Sequence, residues 1–186
     1  MAIWFTGDTH FNHANIIKYS KRPFTDLDEM TAEIIHRWNT KVKTSDTVYH
    51  LGDFALSYGK KHVKLIDKIL AKLNGQKYLI VGNHDRDETT KNRRWGKVTH
   101  YHEIKVERGG IYKQRIVMCH YAMRVWNQMY RGSWMLYGHS HGNLTDIGGK
   151  TMDVGVDCHG YRPINIDEVA EFMNGREILE CGQINV

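Results

Sequence analysis

Proline is nearly missing from this chain, with two in 186 residues. No proline-rich linker, low-complexity tract or internal repeat divides it. Cysteine is scarce as well. Cys119, Cys158 and Cys181 form an odd set without CxxC spacing, which argues against a disulfide framework or a thiolate zinc site and predicts reduced, mostly packed thiols. Long apolar runs are also absent. Met1–Phe5 is apolar but meets Asp8 too soon for the core of a secretion signal, and no run approaches the ~20 residues of a membrane span. A cytoplasmic protein is expected, with no membrane contact and no obligate protein partner.

With 41% hydrophobic and 25% charged residues, residues 1–186 are expected to fold as a single domain with its own core and no cap domain. Lys and Arg number 26 against 21 Asp and Glu, a net charge of +5. That mild excess leans towards an anionic partner.

Histidine is what the chain has in plenty, twelve in all. Five of them lie in short motifs with Asp, Asn and Gly: GDTH at 7–10, GD at 52–53, GNHD at 82–85, His120, and GHSH at 138–141. Each motif directly follows a short apolar stretch rich in β-branched or aromatic residues. Those stretches, Ala2–Phe5, Thr47–Leu51, Lys77–Val81, Arg115–Cys119 and Ser133–Tyr137, read as buried strands. His139 and His141, two apart, would project to one side of extended backbone.

Leu27, Met30, Ile34 and Trp38 recur at helical spacing from Asp26 to about Val42, with Thr25 as N-cap. Val63, Ile66, Leu70 and Leu73 repeat the pattern, and Gly75 stands where a left-handed cap would end that helix. A short third helix is expected near Asp167. Strand–helix alternation in the first half predicts parallel strands in an α/β layered domain, whose ligands collect beyond the carboxyl ends of the strands.

Asp8, His10, Asp53, Asn83, His84, Asp85, His120, His139 and His141 are therefore candidate site residues. Seven nitrogen and oxygen donors are too many for one tetrahedral zinc, and they suit two divalent ions sharing a carboxylate.

The ordered blocks D-x-H, GD, GNHD, H and GHxH resemble the calcineurin-like metallophosphoesterase superfamily from Asp8 to His141. The resemblance implies a four-layer α-β-β-α sandwich of mixed sheets with a dinuclear site. In it Asp8, His10 and His141 would hold the first metal, Asp53 would bridge, and Asn83, His120 and His139 would hold the second. Manganese is the favoured ion, with iron, zinc or nickel also accepted by such donors. The chemistry implied is hydrolysis of P–O bonds. His84, its side chain diverging from the metal ligand Asn83, would protonate the leaving group, and Asp85 would orient or charge that imidazole.

The stretches Thr9–His13, Lys21–Phe24, Trp38–Asn39 and Asp153–Asp157 are similar to a small bacterial and phage subgroup. There His13 and Arg22 would lie by the metals, where a cation binds a nonbridging phosphate oxygen. The plain alternative is a helix-capping His13 and a solvent-exposed Arg22.

Two basic and aromatic segments, 91–97 and 121–134, the second with Arg124, Trp126, Tyr130, Arg131 and Trp134, are either nucleotide-binding or core and solvated loop. The expected activity is a phosphodiesterase or phosphatase on nucleotides or nucleic-acid ends, with 2′,3′-cyclic nucleotides as the specific guess. A DNA nuclease is the alternative, and a non-catalytic scaffold of the same fold is a third reading.

Overall fold

The computed structural model describes residues 1–108, 112–146 and 148–180; Cys181 lies outside them. Four strands run parallel in one sheet: β1 (Ile3–Thr6), β2 (Thr47–His50), β3 (Gln76–Ile80) and β4 (Trp95–Thr99). The second sheet contains β5 (Tyr101–Arg108), β6 (Tyr112–Cys119), β7 (Trp134–Tyr137) and β8 (Thr151–Asp153). Here β5 is antiparallel to β6, and β6, β7 and β8 are parallel. A two-residue strand, β9 (Ile164–Asn165), pairs antiparallel with β1, so the first sheet runs β4-β3-β2-β1-β9.

The helices are α1 (Asn15–Tyr19), α2 (Leu27–Lys41), α3 (Val63–Lys72), α4 (Asp87–Thr90) and α5 (Ile166–Asn174). On α2, Met30, Ile34 and Trp38 repeat every four residues and are fully buried, as an amphipathic helix against a sheet requires. They join Ile66 and Leu70 of α3 and Trp4, Val48 and Leu79 of the strands in one core. A second core lies between the sheets. Phe5, Leu51 and Ile80 meet Ile116, Leu136 and Met152 there, closed by Val169 and Met173 of α5. The third core lies on the outer face of the second sheet, where Trp126 and Met129 cover Val117, Met135 and Tyr137. The layer that supplies this cover is the segment 121–133, with a 3-10 turn at Met129–Arg131.

Several local expectations change. The N-cap of α2 is Asp26, whose side chain accepts from the Glu29 N–H at 2.9 Å. Thr25 instead donates its N–H and hydroxyl to the Glu29 carboxylate. The backbone is already extended at Leu73, one residue after α3 ends, so Gly75, with φ +85°, belongs to the turn into β3 rather than to a helix cap. The segment 91–97 does not stay a loop: from Trp95 it becomes the edge strand β4, with the Trp95 ring buried and its Nε1 donating to the Thr89 carbonyl at 2.9 Å. Trp126 and Trp134 are core, whereas Tyr121 and Tyr130 are exposed. Cys119 is half-buried, and Cys158 is exposed rather than packed. Among the described residues, no helix is long and apolar enough to cross a membrane.

Candidate metal centre

β1, β2, β3, β6 and β7 all end at the same side of the two sheets, and the residues after each end converge. The backbone there is unusual. Asp8, His10, Asp53, His139 and His141 have φ of 55°, 50°, 55°, 68° and 48°, the left-handed region that non-glycine residues rarely adopt. His139 and His141 are thus not in extended backbone, and their rings do not share one target.

The seven donors fall into two groups around one carboxylate. Asp8, His10 and His141 form one trio and Asp53, His120 and His139 the other, the offered atoms within each lying within 4.8 Å of one another. Asp53 faces both, with Oδ2 3.5 Å from His10 Nε2 and Oδ1 3.5 Å from His120 Nε2. The Asn83 Oδ1 lies 3.0 Å from His120 Nε2.

Hydrogen-bond logic fixes the tautomers. His120 Nδ1 is 2.7 Å from the Leu51 carbonyl, which only accepts, so Nδ1 carries the proton, and burial, which lowers the ring's pKa, leaves Nε2 with a lone pair. That lone pair faces two further acceptors, the Asn83 and Asp53 oxygens, with no donor between them. His141 Nδ1 lies 2.7 Å from Asp157 Oδ2, which likewise leaves its Nε2 free towards Asp8 and His10. His10 Nε2 is buried without a hydrogen-bond partner. Burial, helped by the nearby Arg22 charge, lowers the His10 pKa and keeps the ring neutral. Burial also drives the Asp8 carboxyl well above the usual carboxylate range, against the His139 N–H that it accepts and with the Asp153 and Asp53 charges adding to the rise. Lone pairs facing lone pairs and buried carboxylates crowding one another are the environment that a divalent cation relieves.

Glycines make room for this. A Cβ on Gly82 would lie 2.3 Å from Asp53 Oδ1, one on Gly52 2.5 Å from His120 Nδ1, and one on Gly155 2.6 Å from Asp8 Oδ2.

A profile of calcineurin-like phosphoesterases matches residues 1–154. The chain belongs to that family. An uncharacterised protein of Methanocaldococcus jannaschii is 32% identical over 183 residues, covering 95% of this chain and 94% of its own. The gene 66 protein of a Mycobacterium phage is 27% identical over 199 residues, covering 94% and 97%. A solved structure from Aquifex aeolicus, of a protein of unknown function, superposes with a TM-score of 0.70 at 26% identity, covering 92% of this chain and 98% of that one.

Around the seven donors, the remaining candidates of this calcineurin-like phosphoesterase take up different places. His84 is part-exposed, its Nε2 4.0 Å from Asp53 Oδ2, and its ring packs beside His10 and His13. It therefore faces the centre rather than diverging from it. His13 lines the same mouth, its Nδ1 3.2 Å from His10 Nδ1. Arg124 is exposed on the segment after His120.

Two expected roles are corrected. The Asp85 carboxylate accepts the backbone N–H of Phe54 on Oδ1 and those of Asp53 and Gly82 on Oδ2, each at 2.9 Å. It clamps the GD and GNHD loops together instead of orienting His84, and burial still holds its pKa up to about 7. Arg22 is neither solvent-exposed nor open to a phosphate. It is buried, donating to the Asp8 and Thr9 carbonyls at 2.7 and 3.0 Å and to both oxygens of Asp157 at 2.8 Å.

Sequence reasoning gave no role to Asp157 and Asp153. Asp157 orients His141, and Asp153 accepts the N–H groups of Gly142 and Gly155 at 3.0 and 2.8 Å. The available signal was the pair of carboxylates in the 153–157 stretch, four residues apart across Gly155.

Proposed function

We propose that this phosphoesterase takes two divalent cations, manganese by preference, and hydrolyses phosphodiester and phosphomonoester bonds of nucleotides or nucleic-acid ends, with 2′,3′-cyclic nucleotides as the specific substrate. Asp8, His10 and His141 would hold one ion, Asn83, His120 and His139 the other, and Asp53 both. When bound, such ions supply Lewis acidity: they activate water and neutralise phosphoryl charge.

The chain's own groups do the rest. His84 holds a proton at the open mouth and delivers it to the leaving alkoxide. His13 stands beside it to meet a phosphate oxygen. Asp85 fixes the loops that carry Asp53 and Asn83, so the two halves of the centre keep their spacing. The observation that carries this reading is the His120 Nε2 lone pair aimed at the oxygens of Asn83 and Asp53, an arrangement that a cation between them would satisfy.

The test is turnover of bis-p-nitrophenyl phosphate by the manganese-loaded protein, followed by a panel of monoesters, cyclic nucleotides and DNA. His84→Ala is expected to lose about 10²–10⁴-fold in rate while calorimetry still finds two ions bound. A wild-type protein inert with every divalent ion would replace this reading with the scaffold one.

A further inference from the structure

A groove of about 1040 Å³ runs between α3 and residues 91–94, its walls bearing Lys64 and Lys68 on one side and Lys91, Arg93 and Arg94 on the other. It shares Val63, Lys91 and Asn92 with a recess of about 380 Å³ that takes in Gly59 and Lys60. That recess in turn shares Gly59, Asp87 and Glu88 with another of about 590 Å³, lined by Tyr58 and Asp85. The three form one track that starts at the back of the Asn83–Asp85 loop and ends at Arg93 and Arg94.

Lys64 and Lys68 stand one turn apart on α3, which stacks their ammonium groups about 6 Å apart along one face, and Lys60 precedes them in the 3-10 turn at Lys60–His62. Like charges so spaced repel and weaken a helix. Among the described residues, Lys60, Lys64, Lys68 and Arg93 make no ion pair, whereas two of the track's four acids do; of the other two, Asp85 accepts three backbone N–H groups and Glu88 accepts from Ser57 Oγ at 3.2 Å. Asp67 pairs with Arg94 at 2.8 Å and Asp87 with Lys91 at 2.7 Å. Tyr58, 60% exposed, lines the recess that also takes in Asp85 and supplies an aromatic ring of the kind on which bases stack.

We propose that this track binds the phosphodiester backbone of a single-stranded nucleic acid, a site separate from the metal centre that holds a polymeric substrate while its end is hydrolysed. The role of the bound strand as substrate rests on the function proposed above. Its binding does not.

The experiment measures fluorescence anisotropy of a labelled thymidine oligonucleotide with the full chain in EDTA, across a salt series. Four neutralised phosphates predict a slope of log K against log salt of about −3, at roughly 0.7 per phosphate. The triple variant Lys64→Glu, Lys68→Glu, Arg93→Glu is expected to lose at least about tenfold in affinity and to flatten the slope by about 2, while Lys64→Arg with Lys68→Arg retains both. If the reversals prevent folding, Lys64→Gln with Lys68→Gln reads the same slope. Unchanged affinity and slope in a folded variant overturn the proposal, as does charge-dependent binding to phosphatidylserine vesicles in place of the oligonucleotide. Oligonucleotide binding by a protein inert on bis-p-nitrophenyl phosphate would keep the track and reject the hydrolytic reading. Turnover without track-dependent binding would do the reverse.

Discussion

His141 Nδ1 lies 2.7 Å from Asp157 Oδ2, and the Arg22 guanidinium holds both oxygens of that carboxylate at 2.8 Å. One imidazole is thereby aimed by a carboxylate that a buried arginine aims in turn. Asp157→Asn keeps the shape but sets an amide N–H against a donor and strips Arg22 of its counter-charge. Metal affinity is expected to drop about 10–100-fold, read by calorimetric titration with manganese, and stability to fall by about 3–5 kcal/mol. Unaltered affinity in the folded variant would show that Asp157 merely neutralises Arg22.

Two glycines separate crowding from backbone strain. A Cβ on Gly138 would meet Asp8 Oδ2 at 2.7 Å, whereas one on Gly160, with φ +59°, would meet nothing within 4 Å. Gly138→Ala is therefore expected to displace the Asp8 carboxylate and weaken metal binding. Gly160→Ala is expected to cost about 1–2 kcal/mol of left-handed strain and to leave metal binding intact. Calorimetric titration alongside thermal melts distinguishes the two, and equal metal affinity in both variants would refute the distinction.

Acid stability has an identifiable contributor outside the centre. His50 is fully buried among Trp38, Phe54 and Trp95, and burial lowers its pKa from 6.5 to about 3. Thr9 Oγ1 donates to the Phe54 carbonyl and so accepts from His50 Nε2 at 3.0 Å, the neutral ring's one bond. Between these two pKa values the unfolded chain binds a proton that the folded chain refuses. Stability therefore rises with pH through that window and is lost as pH falls from 6.5 towards 3, at up to about 1.4 kcal/mol per pH unit. His50→Phe is expected to flatten the melting temperature against pH between those limits and to change stability at neutral pH by about 1 kcal/mol. An unchanged acid slope would assign the loss to other groups.

The sequence made the centre more legible than its surroundings. Apolar strands that stop abruptly at Asp, Asn and His announce themselves by composition, so Asp8, Asp53, Asn83, His120 and His139 could be placed without coordinates. Strand β4 could not. As an edge strand it buries Trp95 but leaves Lys97 and Val98 exposed, so neither alternation nor an apolar run marks it. Thr25 and Asp26 are both good cap residues, and only the fold decides which carboxylate or hydroxyl the first turn reaches. Asp85 and Arg22 look like site chemistry because charged side chains near a motif usually face substrate. Here unpaired backbone N–H and C=O groups of the tight ligand loops claimed them first, a demand that sequence spacing does not reveal.

The candidate donors Asp8, His10, Asp53, His139 and His141 stand in left-handed backbone that a free chain avoids. The sheets, whose closing hydrogen bonds hold those turns, bear that discomfort. The backbone of the mould is therefore set by the sheets rather than by a cation. Any divalent ion that takes these donors would meet loops the sheets have already bent, whichever ion the surroundings provide.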